Sequence, residues 1–174
     1  ADDIIISMVA GFRIGKDQDT LIKSLKYLPV NYKVWLIGDG VRRKEIETLI
    51  EDLNLEDRVK LWGIRSDIPE LLKTSDVIVM SSRYEGLSLS SIEGMAVDKP
   101  FIASDVKGLH EITIGAGILF PYQDDKRLAE EIKKLIEDKE YYHQVAKKCY
   151  ERAMLFDISK TVEGYCDIYK HIMS

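Results

Sequence analysis

Short apolar runs alternate with amphipathic stretches along this chain. The runs are Ile4–Val9, Tyr32–Ile37, 59–62, Val77–Met80, 100–103 and 117–120. Each is short, bounded by polar residues, and suits a strand buried in a parallel sheet. Between them, apolar positions recur at helical spacing. Leu21, Ile22 and Leu25 mark a helix over 17–27, and Ile46, Leu49, Ile50 and Leu53 one over 45–53. A short helix over 67–74 has Pro69 in its first turn, where proline is tolerated. Ser90, Ser91, Ile92, Met95, Ala96 and Val97 mark a helix after the fourth run, packed back on it. A clear amphipathic helix covers 125–138, and helices over 139–156 and 159–172 close the chain. Strands and helices alternating at this spacing predict a parallel sheet with right-handed crossovers. The expected fold is a doubly wound, Rossmann-like α/β domain with six strands, helices on both faces and extra C-terminal helices. Ligands of such domains bind outside the carboxyl ends of the strands, near the switch in strand order.

The stretch 81–100 concentrates candidate chemistry at that edge. Glu85 and Glu93 stand with seven residues between them. Gly86 sits in the turn, where a side chain would block a ligand approaching the backbone. A strand, a glycine-containing turn and a helix start make an anion site, because free N–H groups and the helix dipole point the same way. Phosphate is the natural guest. Plainer readings exist for both glutamates. Ser90-Ser91-Ile92-Glu93 matches a capping box with Ser90 as N-cap, and Glu85 could be a solvated turn residue.

Ser82-Arg83-Tyr84-Glu85-Gly86, followed by Glu93-Gly94-Met95-Ala96, closely resembles a known signature. It is that of retaining glycosyltransferases with the two-domain GT-B fold (glycosyl transferases group 1, family 4). This large family includes sucrose, glycogen and lipopolysaccharide synthases. The resemblance runs from about residue 4 to 135, with Gly94 where the family usually has alanine. It covers the carboxyl-terminal, donor-binding half of such an enzyme. Residues 1–174 are therefore expected to form one nucleotide-sugar-binding domain, with 139–174 as closing helices. The amino-terminal, acceptor-binding half would need about another 150 residues.

The resemblance implies a role for each candidate. Glu85 faces the donor sugar and is the catalytic residue. Glu93 takes the ribose, whose paired hydroxyls suit a carboxylate acceptor. The N–H groups of Gly86, Leu87, Ser88 and Leu89 take the diphosphate. Lys16 matches the family's phosphate-gripping lysine. The family's arginine position falls on Gly11, and the nearby cation is Arg13, so Arg13 is the candidate replacement. Ile64 and Arg65 follow the third strand, where family members hold the base through backbone groups. The implied reaction is transfer of a hexose or similar sugar from a UDP- or GDP-type nucleoside-diphosphate sugar, with retention and without a metal or other cofactor. The acceptor would be a glycan or lipid-linked molecule, reached through the other half, in polysaccharide biosynthesis. The piece alone is expected to be inactive.

The remaining features narrow the reading. A net charge of −5 argues against binding a nucleic-acid backbone. No apolar run approaches the length of a membrane span. The acidic Ala1-Asp2-Asp3 has the wrong sign for a signal peptide. Cys149 and Cys166 read as reduced thiols of a cytoplasmic protein. The full-length enzyme is open to peripheral contact with a membrane. Gly38-Asp39-Gly40 lacks the third glycine of a dinucleotide fingerprint, with Arg43 in its place, and reads as a turn. His110, His143 and His171 have no metal-ligand spacing. Ser104 to Glu111 resembles a further family segment, with Lys107 and His110 replacing Gly and Pro, and Glu111 anchoring a turn. Two other readings of the chain are a nucleotide-sugar epimerase of similar fold and a non-catalytic nucleotide-binding domain.

Overall fold

The computed structural model describes residues 3–173; Ala1 and Asp2 of the acidic start, and Ser174, lie outside them. Six strands form one parallel sheet: β1 (Ile4–Val9), β2 (Tyr32–Ile37), β3 (Val59–Gly63), β4 (Val77–Met80), β5 (Phe101–Ser104) and β6 (Ile118–Phe120). Their spatial order is β3-β2-β1-β4-β5-β6. The direction of winding therefore reverses between β1 and β4, and right-handed crossovers place helices on both faces. β1 pairs with β2 along its whole length, Ile4 with Tyr32 through Val9 with Ile37. On its other side it pairs with β4 at Ile6–Val77 and Ser7–Ile78.

Every residue of β4 and β5 is buried, as continuous apolar runs in a doubly covered sheet should be. The helices are α1 (Gln18–Ser24), α2 (Arg43–Asp52), α3 (Ile68–Thr74), α4 (Leu89–Met95), α5 (Leu109–Thr113), α6 (Asp125–Glu137), α7 (Lys139–Ala153) and α8 (Ile158–Met173). α1 packs on α2 and α6, and α4 on α7. Leu21, Ile22, Leu128, Ile132 and Leu135 close one apolar layer, and all are fully buried. Each contributes about 1.5–3 kcal/mol relative to exposure. Polar bonds tie the layers as well. Ile5 N donates to Asp76 Oδ2 at 2.7 Å, and the Tyr142 hydroxyl donates to Asp76 O at 2.7 Å.

Several local expectations need correction. The helix expected over 17–27 is broken at its start and tightened at its end. Asp17 adopts a left-handed conformation (φ 49°) and ends a 3₁₀ turn over Ile14–Lys16, while Leu25–Tyr27 is also 3₁₀. An aspartate tolerates this backbone better than most residues. The capping box at Ser90 does not form. Ser88 is the N-cap of α4, and its hydroxyl accepts from Ser91 Oγ at 2.8 Å. A short helix, α5, occupies the segment read as a turn. There Glu111 Oε2 accepts from Gly108 N–H at 2.5 Å, so this glutamate does anchor the chain reversal.

α8 extends beyond the globule. Ile158, Val162, Tyr165, Tyr169 and Ile172 recur along it at spacings of three and four, and all are exposed. An apolar stripe of this kind is unusual on a free surface.

Candidate active site

The carboxyl ends of β1, β2 and β3 line one cleft, with Ser90 of α4 beside them. Its entry geometry is set by two loops pressed together. Gly38 follows β2 with φ 141°, and a Cβ there would lie 2.2 Å from Ala10 O. Only glycine permits this contact. Gly40 makes a similar approach to Phe12 O, and Phe12 N donates to Asp39 O at 3.0 Å. The Gly-Asp-Gly turn therefore packs backbone on backbone and positions the loop after β1.

That loop carries Lys16, and the loop after β4 carries Glu85. Lys16 Nζ lies 2.5 Å from Glu85 Oε1, with the two side chains 26% and 10% exposed. Ser82 Oγ also donates to Glu85 Oε1, at 2.7 Å. Both partners use Oε1, and among the described residues Oε2 makes no hydrogen bond. The loop is braced further by Arg83 N donating to Gly15 O at 2.8 Å and Ser81 Oγ donating to Asp17 O at 2.7 Å. Burial pushes the Asp17 carboxyl above its ordinary range, against a hydrogen bond from Thr20 Oγ1 at 2.7 Å.

After Glu85 the chain turns through Gly86 and Leu87 into Ser88 and Leu89. Among the described residues, the main-chain N–H groups of these four donate to no protein acceptor. Leu87 and Leu89 are exposed, and Ser88 is buried. Loop 105–108 supports the turn from behind. Gly108 takes φ 88°, and a Cβ there would lie 1.9 Å from Glu85 O.

The cleft itself encloses about 340 Å³. Gly11, Lys16, Ile64, Arg65, Ile68 and Ser90 are among its walls. Ile64 is 85% exposed. Arg65 is held by Asp67 through two bonds of 2.8 and 2.6 Å, which also hold the Asp67 carboxyl below its usual range. Glu93 does not line this cleft. It lies exposed on α4 in an adjoining, mainly apolar groove of about 460 Å³ with Ser66, Pro69, Leu72 and Lys73. Ile68 lines both, so the groove lies beside the cleft. Arg13 is exposed and reaches back over Gly11.

Sequence reasoning brought Lys16, Glu85, Ile64, Arg65 and the 86–89 turn to one edge, and the structure places them there. It missed Ser82 and Gln18. Ser82 stands three residues before Glu85, a spacing at which short polar side chains often bond locally. Gln18 shares the helical stripe of Leu21, Ile22 and Leu25, and a polar residue on an apolar stripe was the available signal.

The profile of the family described as "Glycosyl transferases group 1" matches residues 1–152. This chain belongs to that family. Among its curated relatives is the "Putative glycosyltransferase EpsD" of Bacillus subtilis (strain 168). It is 33% identical over 177 residues, which is 99% of this chain and 46% of the relative. Among solved structures, Anabaena Alr3699/HepE in complex with UDP superposes with a TM-score of 0.93 at 26% identity, over 98% of this chain and 50% of that one. The same protein with UDP-glucose gives 0.91. Sucrose-phosphate synthase from Thermosynechococcus elongatus gives 0.89 at 29% identity, over 99% and 46%. The chain thus spans about half the length of the family members it matches. The Rossmann-like sheet is the one these glycosyltransferases share. No helix among the described residues is long and apolar enough to cross a membrane.

Proposed function

We propose that this chain is the donor-binding, carboxyl-terminal half of a retaining glycosyltransferase that uses a nucleoside-diphosphate sugar. One observation carries the reading: a Lys16–Glu85 pair beside four unsatisfied N–H groups at the carboxyl edge, where the sheet changes winding direction. That edge is where doubly wound domains take their ligands. The complexes of Alr3699/HepE with UDP and UDP-glucose support a nucleotide sugar as the ligand class.

In this reading the N–H groups of Gly86, Leu87, Ser88 and Leu89 receive the diphosphate, and Lys16 balances its charge as it leaves. Glu85 is oriented by Lys16 and Ser82 through Oε1, which leaves Oε2 to face the sugar. A fixed carboxylate there stabilises positive charge developing at the anomeric carbon. Ile64 and Arg65 border the base, and Glu93 reaches the ribose from the adjoining groove. Cationic side chains and main-chain donors make the transfer metal-independent. The acceptor, a glycan or lipid-linked molecule, binds a second half of about 150 residues that this chain does not include. The full enzyme then works on the cytoplasmic side of polysaccharide assembly, in peripheral contact with a membrane.

Thermal unfolding with UDP, GDP, ADP and CMP in turn tests this. Ligand at about 100 times its dissociation constant adds roughly 2.7 kcal/mol, a rise of about 5–10 °C for a chain of this size. One nucleotide is expected to give that rise, with a smaller one in Glu93→Ala. No rise with any of the four would remove the proposal.

A further inference from the structure

Large apolar side chains stand open on the two loops that carry the Lys16–Glu85 pair. Ile14 is 75% exposed, Tyr84 68% and Leu87 62%. A single exposed apolar residue is ordinary on a protein surface, but three on two touching loops beside a reacting carboxylate ask for an occupant. Tyr84 is the best placed of them. It directly precedes Glu85 and does not line the donor cleft, so it belongs to the rim rather than to the walls.

The main chain around Tyr84 is pinned on both sides. Arg83 N donates to Gly15 O at 2.8 Å, and Glu85 N donates to Lys107 O at 3.3 Å. The ring leans on Gly15: Cε1, Cζ and Oη lie 3.5, 3.7 and 3.7 Å from where a Cβ would stand there. A tyrosine has only two side-chain torsions, so a pinned loop and one supporting contact leave it little freedom to lose on binding. Much of the ring stays open to solvent, and among the described residues its hydroxyl makes no hydrogen bond. The preceding Arg83 guanidinium is exposed and makes no hydrogen bond or ion pair among them either.

These features fit the chemistry of a pyranose. Such a ring has an apolar face of C–H groups and a rim of hydroxyls. An open aromatic ring takes the first, and free polar groups at its edge take the second. An acyl chain would cover the same hydroxyl and guanidinium without pairing them, which is unfavourable.

We propose that Tyr84 is the platform for the sugar ring of the acceptor, with its own hydroxyl and Arg83 bonding to that sugar's hydroxyls. Transfer needs the acceptor hydroxyl at the anomeric carbon that Glu85 faces, and Tyr84 is one residue from Glu85. The rest of the acceptor lies on the second half of the enzyme; Tyr84 gives this chain a share in selecting it. This rests on the donor-site reading above.

Saturation-transfer NMR on the chain tests it, with UDP and GDP in turn, and then with methyl glucoside, methyl galactoside, methyl N-acetylglucosaminide and cyclohexanol added to the nucleotide that binds. At least one pyranoside should receive saturation on its ring protons and shift the ring signal of Tyr84, identified by its loss in Tyr84→Phe. Cyclohexanol, an apolar ring with a single hydroxyl, should bind more weakly. Tyr84 is exposed, so its variants should fold normally. Tyr84→Ala should weaken the pyranoside about fivefold to thirtyfold, as for a truncated aromatic anchor. Tyr84→Phe keeps the platform and should lose only about two- to threefold. Nucleotide affinity should change less than about twofold in both, since the ring lies outside the donor cleft. Absence of saturation on every pyranoside while a nucleotide binds would overturn the inference and leave the donor site standing. So would cyclohexanol binding as well as the pyranosides, unchanged pyranoside affinity in Tyr84→Ala, or equal losses of pyranoside and nucleotide. Failure of the unaltered chain to bind either nucleotide would overturn both.

Discussion

Replacing Gly38 by alanine tests whether the cleft depends on two loops touching through their backbones. Two costs act together. The φ of 141° is one that a residue with a Cβ adopts at about 1–3 kcal/mol. The new methyl would also stand 2.2 Å from Ala10 O and 2.9 Å from Ala10 C. Those are main-chain atoms at the end of a paired strand and cannot swing aside, so overpacking adds about 1–3 kcal/mol. The sum is about 2–6 kcal/mol, or roughly 4–24 °C in melting temperature at 2–4 °C per kcal/mol. Gly63→Ala is the control. Its φ of 68° is also left-handed, but a Cβ there meets nothing within 4 Å. Its cost is strain alone, about 1–2 kcal/mol. Melting of both variants by circular dichroism, followed by nucleotide titration, reads the difference. Gly38→Ala should melt far lower and bind nucleotide weakly, since Ala10 leads directly to Gly11 and Lys16. Equal losses in the two variants would refute the reasoning, because backbone strain would then explain everything and the loop contact nothing.

Three further outcomes follow from the same geometry. Gly86→Ala introduces a Cβ into open space, so stability should stay within about 0.5 kcal/mol. Nucleotide-diphosphate affinity should fall at least about tenfold, and unchanged affinity on titration would remove the 86–89 turn from the site. Lys16→Met leaves a largely buried Glu85 with Ser82 alone and should cost about 1–3 kcal/mol. Adding Glu85→Gln should recover part of that loss in urea unfolding, and simple additivity would count against a coupled pair. Burial and the field of Asp76 push the Tyr142 hydroxyl from 10 up to about 12, and burial pushes the Cys149 thiol from 9 up to about 11. Both groups fold neutral with raised pKa values. Their stabilisation is therefore complete below about pH 9 and is lost as the pH rises through about 11 and 12. Tyr142→Phe should cost about 1 kcal/mol near pH 7, through the bond to Asp76 O, and should lose less than the unaltered chain between pH 9 and 11. A parallel pH profile would contradict this.

The strands were readable because β1, β4 and β5 are apolar runs with no polar face, and only a doubly covered sheet accepts such runs. Glu85, Gly86 and Lys16 were readable because a carboxylate, a glycine and a lysine at strand ends have few structural duties. What escaped depends on contacts distant in sequence. Nothing local says that Asp17 would turn left-handed; Ser81, far along the chain, holds its carbonyl there. Nor does any spacing separate Glu93 from the cleft. That follows from the placing of α3 beside α4, where Pro69, Leu72 and Glu93 line one groove. The Ser90 capping box failed for a local reason: Ser88 begins the helix two residues earlier, so Glu93 is beyond reach of the cap.

Lys16 and Glu85 are separated by 69 residues. They meet only because β1 and β4 are neighbours in the sheet, although β2, β3 and their crossovers lie between them in sequence. Contacts of such separation are costly to form early. The binding site is thus a record of completed assembly. A nascent chain released just before residue 85 can hold four strands and no Lys16–Glu85 pair. A ligand spanning the two loops acts as a clasp on the seam between the two halves of the sheet, favouring the closed chain over every partly opened one.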